Sequence, residues 1–186
     1  MLKRIRACTA CAAHLEHGVR PVMNGHPNAR IAIIGQAPGI KVHQSGVPWD
    51  DASGRTLRTW LGVNEAQFYN PELFAIVPMG FCYPGNGKSG DLPPRPECAP
   101  QWHGPLLEAM PNIELTLLIG QYAQAHYLGD RAKRNLTETV RNYKGYLPEQ
   151  LPLPHPSPRN RFWQAKNPWF TEKVVPELQR RVQAVM

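Results

Sequence analysis

The sequence predicts an α/β domain built on a parallel sheet, and three apolar runs carry that expectation. Ile31-Ala-Ile-Ile34 stops at the glycine- and proline-bounded turn Gly35-Gln-Ala-Pro-Gly39, the pattern of a buried strand that delivers a loop. Leu115-Thr-Leu-Leu-Ile119 is closed by Gly120 and followed by a helical stretch from Gln121 to Leu128. Leu73-Phe-Ala-Ile-Val77 lies between them, so strand, turn and helix recur in an order that needs crossover connections. A chain of 186 residues buries one core without needing a second, and a single domain over residues 1–186 is expected.

In chain order, residues Cys8 to about Gly18 suit a short helix, and Arg20 to Asn28 form a polar connection into the first strand. The loop after that strand, His43 to Gly54, leads into Arg55-Thr-Leu-Arg-Thr-Trp60-Leu61, whose apolar residues recur at helical spacing and place Trp60 in the core. Met79 to Cys98 is crowded with prolines and glycines, and a loop that long is functional or pinned by something. His103 to Met110 reads as helix, and Asn135 to Tyr143 as weak helix. Leu151-Pro-Leu-Pro154 is too proline-rich for a central strand and is expected to deliver the turn His155-Pro-Ser-Pro-Arg-Asn160. Phe170, Val174, Leu178, Val182 and Val185 share one face of a closing helix.

Lysine and arginine total 21 against 14 acidic residues, a formal charge of +7. The charge is scattered, with Lys3 to Arg6, Arg131 to Lys144 and Arg159 to Lys166 as three concentrations of it, which suits a surface field facing a polyanion. No stretch has signal-peptide or membrane-spanning length, so a cytoplasmic protein with no membrane partner is expected. Pro84-Gly-Asn-Gly-Lys-Ser89 is no phosphate loop, because Cys82 replaces the first glycine of that motif. Cys8-Thr-Ala-Cys11 together with Cys82 and Cys98 admits a four-cysteine zinc site, an iron–sulfur cluster, or two ligands and two buried thiols.

The order Cys8-x2-Cys11, Asn28 to Gly39, Gly46-Val-Pro-Trp-Asp-Asp-Ala-Ser-Gly54, Cys82…Cys98 and His155-Pro-Ser-Pro-Arg-Asn160 resembles the iron–sulfur uracil-DNA glycosylases, families four and five of their superfamily. The resemblance implies a three-layer α/β/α sandwich around a four-stranded parallel sheet. It implies a [4Fe–4S] cluster on Cys8, Cys11, Cys82 and Cys98, with zinc as the alternative. It implies a monomer that hydrolyses the N-glycosidic bond of a damaged base in DNA, the alternative being a catalytically silent DNA-binding module of the same fold. The first motif departs from the families: Gln36 stands where family four carries glutamate, and the family-one aspartate and tyrosine positions fall on Ala37 and Gly39. Val77 to Gly80 lacks the asparagine with which family four reads uracil. The Asp-Ala-Ser-Gly segment resembles family five and points to Asp51.

A base inside a duplex must be flipped into a pocket before its glycosidic bond is reached. Trp49 is the stacking candidate, with Gln36, Ala37 and Asn160 at the base. Departure of the base leaves an oxocarbenium-like sugar, which a carboxylate stabilises, and a base anion, which a hydrogen-bond donor stabilises. Asp51 or its neighbour Asp50 fits the first role and His155 the second. Ser157 and Arg159 are the DNA-contacting candidates, Arg159 standing where family one carries an intercalating leucine.

Overall fold

A computed structural model describes residues 1–88 and 90–186. Ser89, the end of the stretch that fails as a phosphate loop, lies outside the described residues. The strands are β1 (Ile31–Ile34), β2 (Phe74–Ile76), the short β3 (Asn86–Gly87) and β4 (Gly90–Asp91), β5 (Leu115–Ile119) and β6 (Gln150–Leu153). The helices are α1 (Leu2–Arg6), α2 (Ile40–Ser45), α3 (Ala52–Leu61), α4 (Glu65–Phe68), α5 (Cys98–Glu108), α6 (Gln121–Leu128), α7 (Leu136–Arg141), α8 (Arg161–Lys166) and α9 (Val175–Val185).

Four strands make one parallel sheet in the order β2-β1-β5-β6, with Ile31 level with Phe74 and Leu115, and Leu117 level with Leu151. All four residues of β1 are buried, because helices cover both faces of a central parallel strand. Alternation along the strands divides the core. Ile31, Ile33, Leu117 and Leu153 face Leu57, Trp60 and Leu61 of α3 and Leu178 and Val182 of α9. Ala32, Ile34, Ala75 and Leu118 face Trp102 and Leu106 of α5, Ala123 of α6 and Ile5 of α1. Each fully buried large side chain contributes about 1.5–3 kcal/mol, and the three expected layers result.

The chain leaves β1 toward β2 on one side and β5 toward β6 on the other. Such a reversal opens a crevice at the carboxyl ends of the two central strands.

Three local readings differ from expectation. The first helix is Leu2–Arg6, and the cysteine pair lies in irregular chain that tightens only at a 3-10 turn, Ala12–His14. The helix expected from His103 begins at Cys98; Pro100 is tolerated because the first turn has unpaired N–H groups in any case. Leu151-Pro-Leu is strand, not merely the approach to a turn, but at the edge of the sheet. Thr116 N–H donates to the Glu149 carbonyl at 2.8 Å and Gly120 N–H to that of Leu153 at 2.9 Å, so odd-numbered residues face β5. Pro152 and Pro154 fall on the even positions, where a missing N–H breaks no ladder bond. Among the described residues no helix is long and apolar enough to cross a membrane.

Candidate active site

At the crevice lies a cavity of about 310 Å³, near the lower end of the range for small-molecule pockets, lined by Gly35, Gln36, Ala37, Trp49, Asp51 and His155, with Asp91, Ser157 and Arg159 at its wall. The β1 turn forms the floor. Its carbonyls are held from below, Gly35 accepting from Met79 N–H at 2.8 Å and Gln36 from Gly80 N–H at 3.0 Å.

Trp49 has φ 57°, a left-handed conformation that costs a bulky residue about 1–3 kcal/mol. Gly54 makes it possible, because a Cβ there would overlap the Trp49 carbonyl oxygen. Tyr69 hydroxyl donates to the neighbouring Pro48 carbonyl at 3.0 Å. The indole is thereby laid against Gly35, with its ring centre 5.6 Å from that of His155 at an interplanar angle of 32°. Asp51 follows as the N-cap of α3, accepting from Gly54 N–H at 2.8 Å. It caps the helix and lines the cavity at once.

His155 leaves the end of β6 beside Gly120. Its Nδ1 accepts from Ser157 N–H at 3.2 Å; an amide only donates, so the hydrogen of the neutral ring sits on Nε2. Burial pulls the imidazole below its ordinary range, with the Asp51 charge opposing, and the neutral form prevails at neutral pH. Asn160 Nδ2 donates to the His155 carbonyl at 2.7 Å and Ser157 Oγ accepts from Arg159 N–H at 3.2 Å, which braces the turn from within.

The antiparallel hairpin of β3 and β4 folds over the cavity from the proline-rich loop. Gln36 Nε2 donates to the Leu92 carbonyl at 3.2 Å. The Asp91 carboxylate lies over Gly39, and the Arg159 guanidinium lies against Gly90. Partial burial holds the Asp91 carboxyl above its ordinary range, Arg159 drawing it down and Asp51 adding to the rise.

The four cysteines are free, half-buried and line one apolar recess with Ile5, Leu15, Phe81 and Trp102. Phe81 N–H donates to Cys98 Sγ at 3.4 Å, and the Arg20 amide bonds Cys82. Burial pushes the Cys98 thiol up to about 12, so thiolates in this recess need a cation beside them. Among the described residues no group of three or more His, Cys, Asp or Glu is already arranged to hold a metal ion. The donor set, four sulfurs in an apolar recess with amide N–H groups on two of them, fits a thiolate-ligated cluster.

Of the residues expected from sequence, Gln36, Ala37, Trp49, Asp51, His155, Ser157 and Arg159 line the one cavity. Asp50 is exposed and Asn160 is turned to the His155 carbonyl, and neither lines it. Sequence reasoning missed Asp91, which only the hairpin brings to Gly39, and Phe162, 83% exposed at the start of α8. A family model, described as the uracil DNA glycosylase superfamily, matches residues 22–179.

Proposed function

Because the chain belongs to the uracil DNA glycosylase superfamily, we propose that it is an iron–sulfur DNA glycosylase that releases deaminated bases, uracil first among them. The observation that carries this reading is the meeting of Trp49, Asp51 and a neutral His155 in one cavity at the switch point of the sheet. A flipped base lies against the Trp49 indole. His155 donates from Nε2 to the base carbonyl that gathers charge as the glycosidic bond breaks, and the Asp51 carboxylate faces the oxocarbenium-like sugar and orients the attacking water. Gln36 gives one N–H of its amide to the Leu92 carbonyl, which leaves the second N–H as a donor and Oε1 as an acceptor. A donor and an acceptor side by side match the adjacent carbonyl and ring N–H of uracil, hypoxanthine and xanthine, and meet like groups at the same two positions of cytosine and adenine.

Cys8, Cys11, Cys82 and Cys98 would hold a [4Fe–4S] cluster. When bound, it supplies a cross-link between the N-terminal segment and the proline-rich loop, whose separation in sequence makes the tie worth most. Anaerobically purified protein is expected to be brown; colourless protein with stoichiometric zinc would replace iron by zinc and leave the site intact.

Alkaline cleavage of oligonucleotides carrying each base tests the activity. His155→Ala and Asp51→Asn are each expected to lower single-turnover excision at least about tenfold, about 1.4 kcal/mol, with DNA affinity little changed. Tight binding with no release of any of these bases would instead mark a catalytically silent DNA-binding module.

A further inference from the structure

The middle group of cations in the sequence has no part in the cavity just described. The fold gathers four of its five, Arg131, Lys133, Arg141 and Lys144, elsewhere, into a groove that Lys173 joins, with Asp130 the one carboxylate among the lining residues. Among the described residues none of the five cations that line the groove is in an ion pair, although Arg30, Arg58, Arg95, Arg134, Arg180 and Arg181 all are. Two of the five are held in place by neutral partners. Arg131 donates to the Gln150 side-chain oxygen at 2.5 Å, and Arg141 lies 4.9 Å over the Trp169 ring. Charges oriented by an amide and an aromatic face keep their field for something outside the chain.

The groove sits at the beginning of β6, where Gln150 starts the strand, whereas His155 follows the strand's end. About 10 Å of strand, at roughly 3.3 Å per residue, lies between the two ends. The groove is therefore separate from the candidate active site and stands at the opposite end of the same strand. We infer that it is a second polyanion site, which takes the phosphates of a DNA segment flanking the one whose base is excised. Five cations outside any ion pair in one groove match a repeating, closely spaced row of phosphates. Such a site adds to base excision and requires only that the protein bind DNA.

The triple variant Lys133→Gln, Lys144→Gln, Lys173→Gln removes three exposed cations and leaves the anchored arginines alone. Binding to undamaged duplexes is measured against salt, one duplex of about one helical turn, ~10 base pairs, and one of about four turns. On the long duplex the variant's log–log salt slope is expected to be shallower than wild type by two to three, at about 0.9 for each phosphate that is no longer neutralised. On the short duplex slope and affinity are expected to match wild type. Because undamaged DNA is used, failure of this test is distinct from failure of catalysis. Equal slopes for the two proteins on the long duplex would overturn the inference. So would calorimetric binding of inorganic pyrophosphate that the variant loses without any effect of duplex length, which would make the groove a small-anion site.

Discussion

Arg159 follows two prolines in a stiff turn, where a long side chain has two destinations, outward to a DNA duplex or back over the cavity. It lies back, against Gly90 and within the field of Asp91. Three residues on, Phe162 stands 83% exposed while its neighbour Trp163 turns inward and donates to Thr137 Oγ1 at 2.8 Å. The aromatic that faces outward is the one suited to hold open a stack of bases. A wedge matters where stacking must be broken, at a few kcal/mol in duplex and far less in a single strand. Phe162→Ala is therefore expected to slow excision from duplex about tenfold and from single strands by less than about twofold. Arg159→Ala is expected to slow both alike, and the reverse pattern would return the wedge to Arg159. That Trp49, Asp51 and His155 meet in one cavity was legible in the sequence because each residue sits in a short motif tied to a strand end. Asp91 was not, since nothing in Gly90-Asp91 says which turn the hairpin will cover.

At the scale of elements, the join between the Trp49 turn and α3 is the most demanding in the fold. Gly54 is both the donor that Asp51 caps and the only residue small enough to lie under the Trp49 carbonyl. Gly54→Ala is expected to destabilise by about 3 kcal/mol, at the upper end of overpacking costs, because backbone must move. Thermal unfolding measures that loss, and excision should fall further than the fraction unfolded explains, since the indole loses its seat over Gly35. The strands β1, β2 and β5 were readable from their apolar runs. The edge strand β6 was not, because proline content argues against a ladder unless the register is known; only the bonds from Thr116 and Gly120 show that the prolines fall on the outer side. The first helix was misplaced for a related reason: the segment with the cysteines takes its shape from the recess it lines, and local propensity says little about it.

For the whole molecule, burial of neutral histidine couples stability to pH. His103 is 2% exposed, donates from Nε2 to the Pro78 carbonyl at 3.0 Å, and is pulled down to about 4 by burial. Its folded value lies below the unfolded one, about 6.5, so as pH falls between them the unfolded chain takes up a proton that the fold refuses. Stability is thus whole above about pH 6.5 and declines toward pH 4, by on the order of 3 kcal/mol for this residue. Denaturant midpoints across that range measure the decline, which His103→Gln should lessen, leaving the part that His155 adds in the same direction. Pro78 also lines the active cavity, so acid should loosen the site from beneath before the fold is lost. The two prolines of β6 bear on a different matter, the company the molecule keeps. One side of the sheet is bridged by Asn24 to Ile76. Along the other, positions 150, 152 and 154 point outward, and proline at two of them deletes the donors that a neighbouring chain would need in order to add a strand. Sheet-to-sheet aggregation is discouraged on both flanks, which lets a protein with an open, basic surface crowd onto DNA without polymerising on itself.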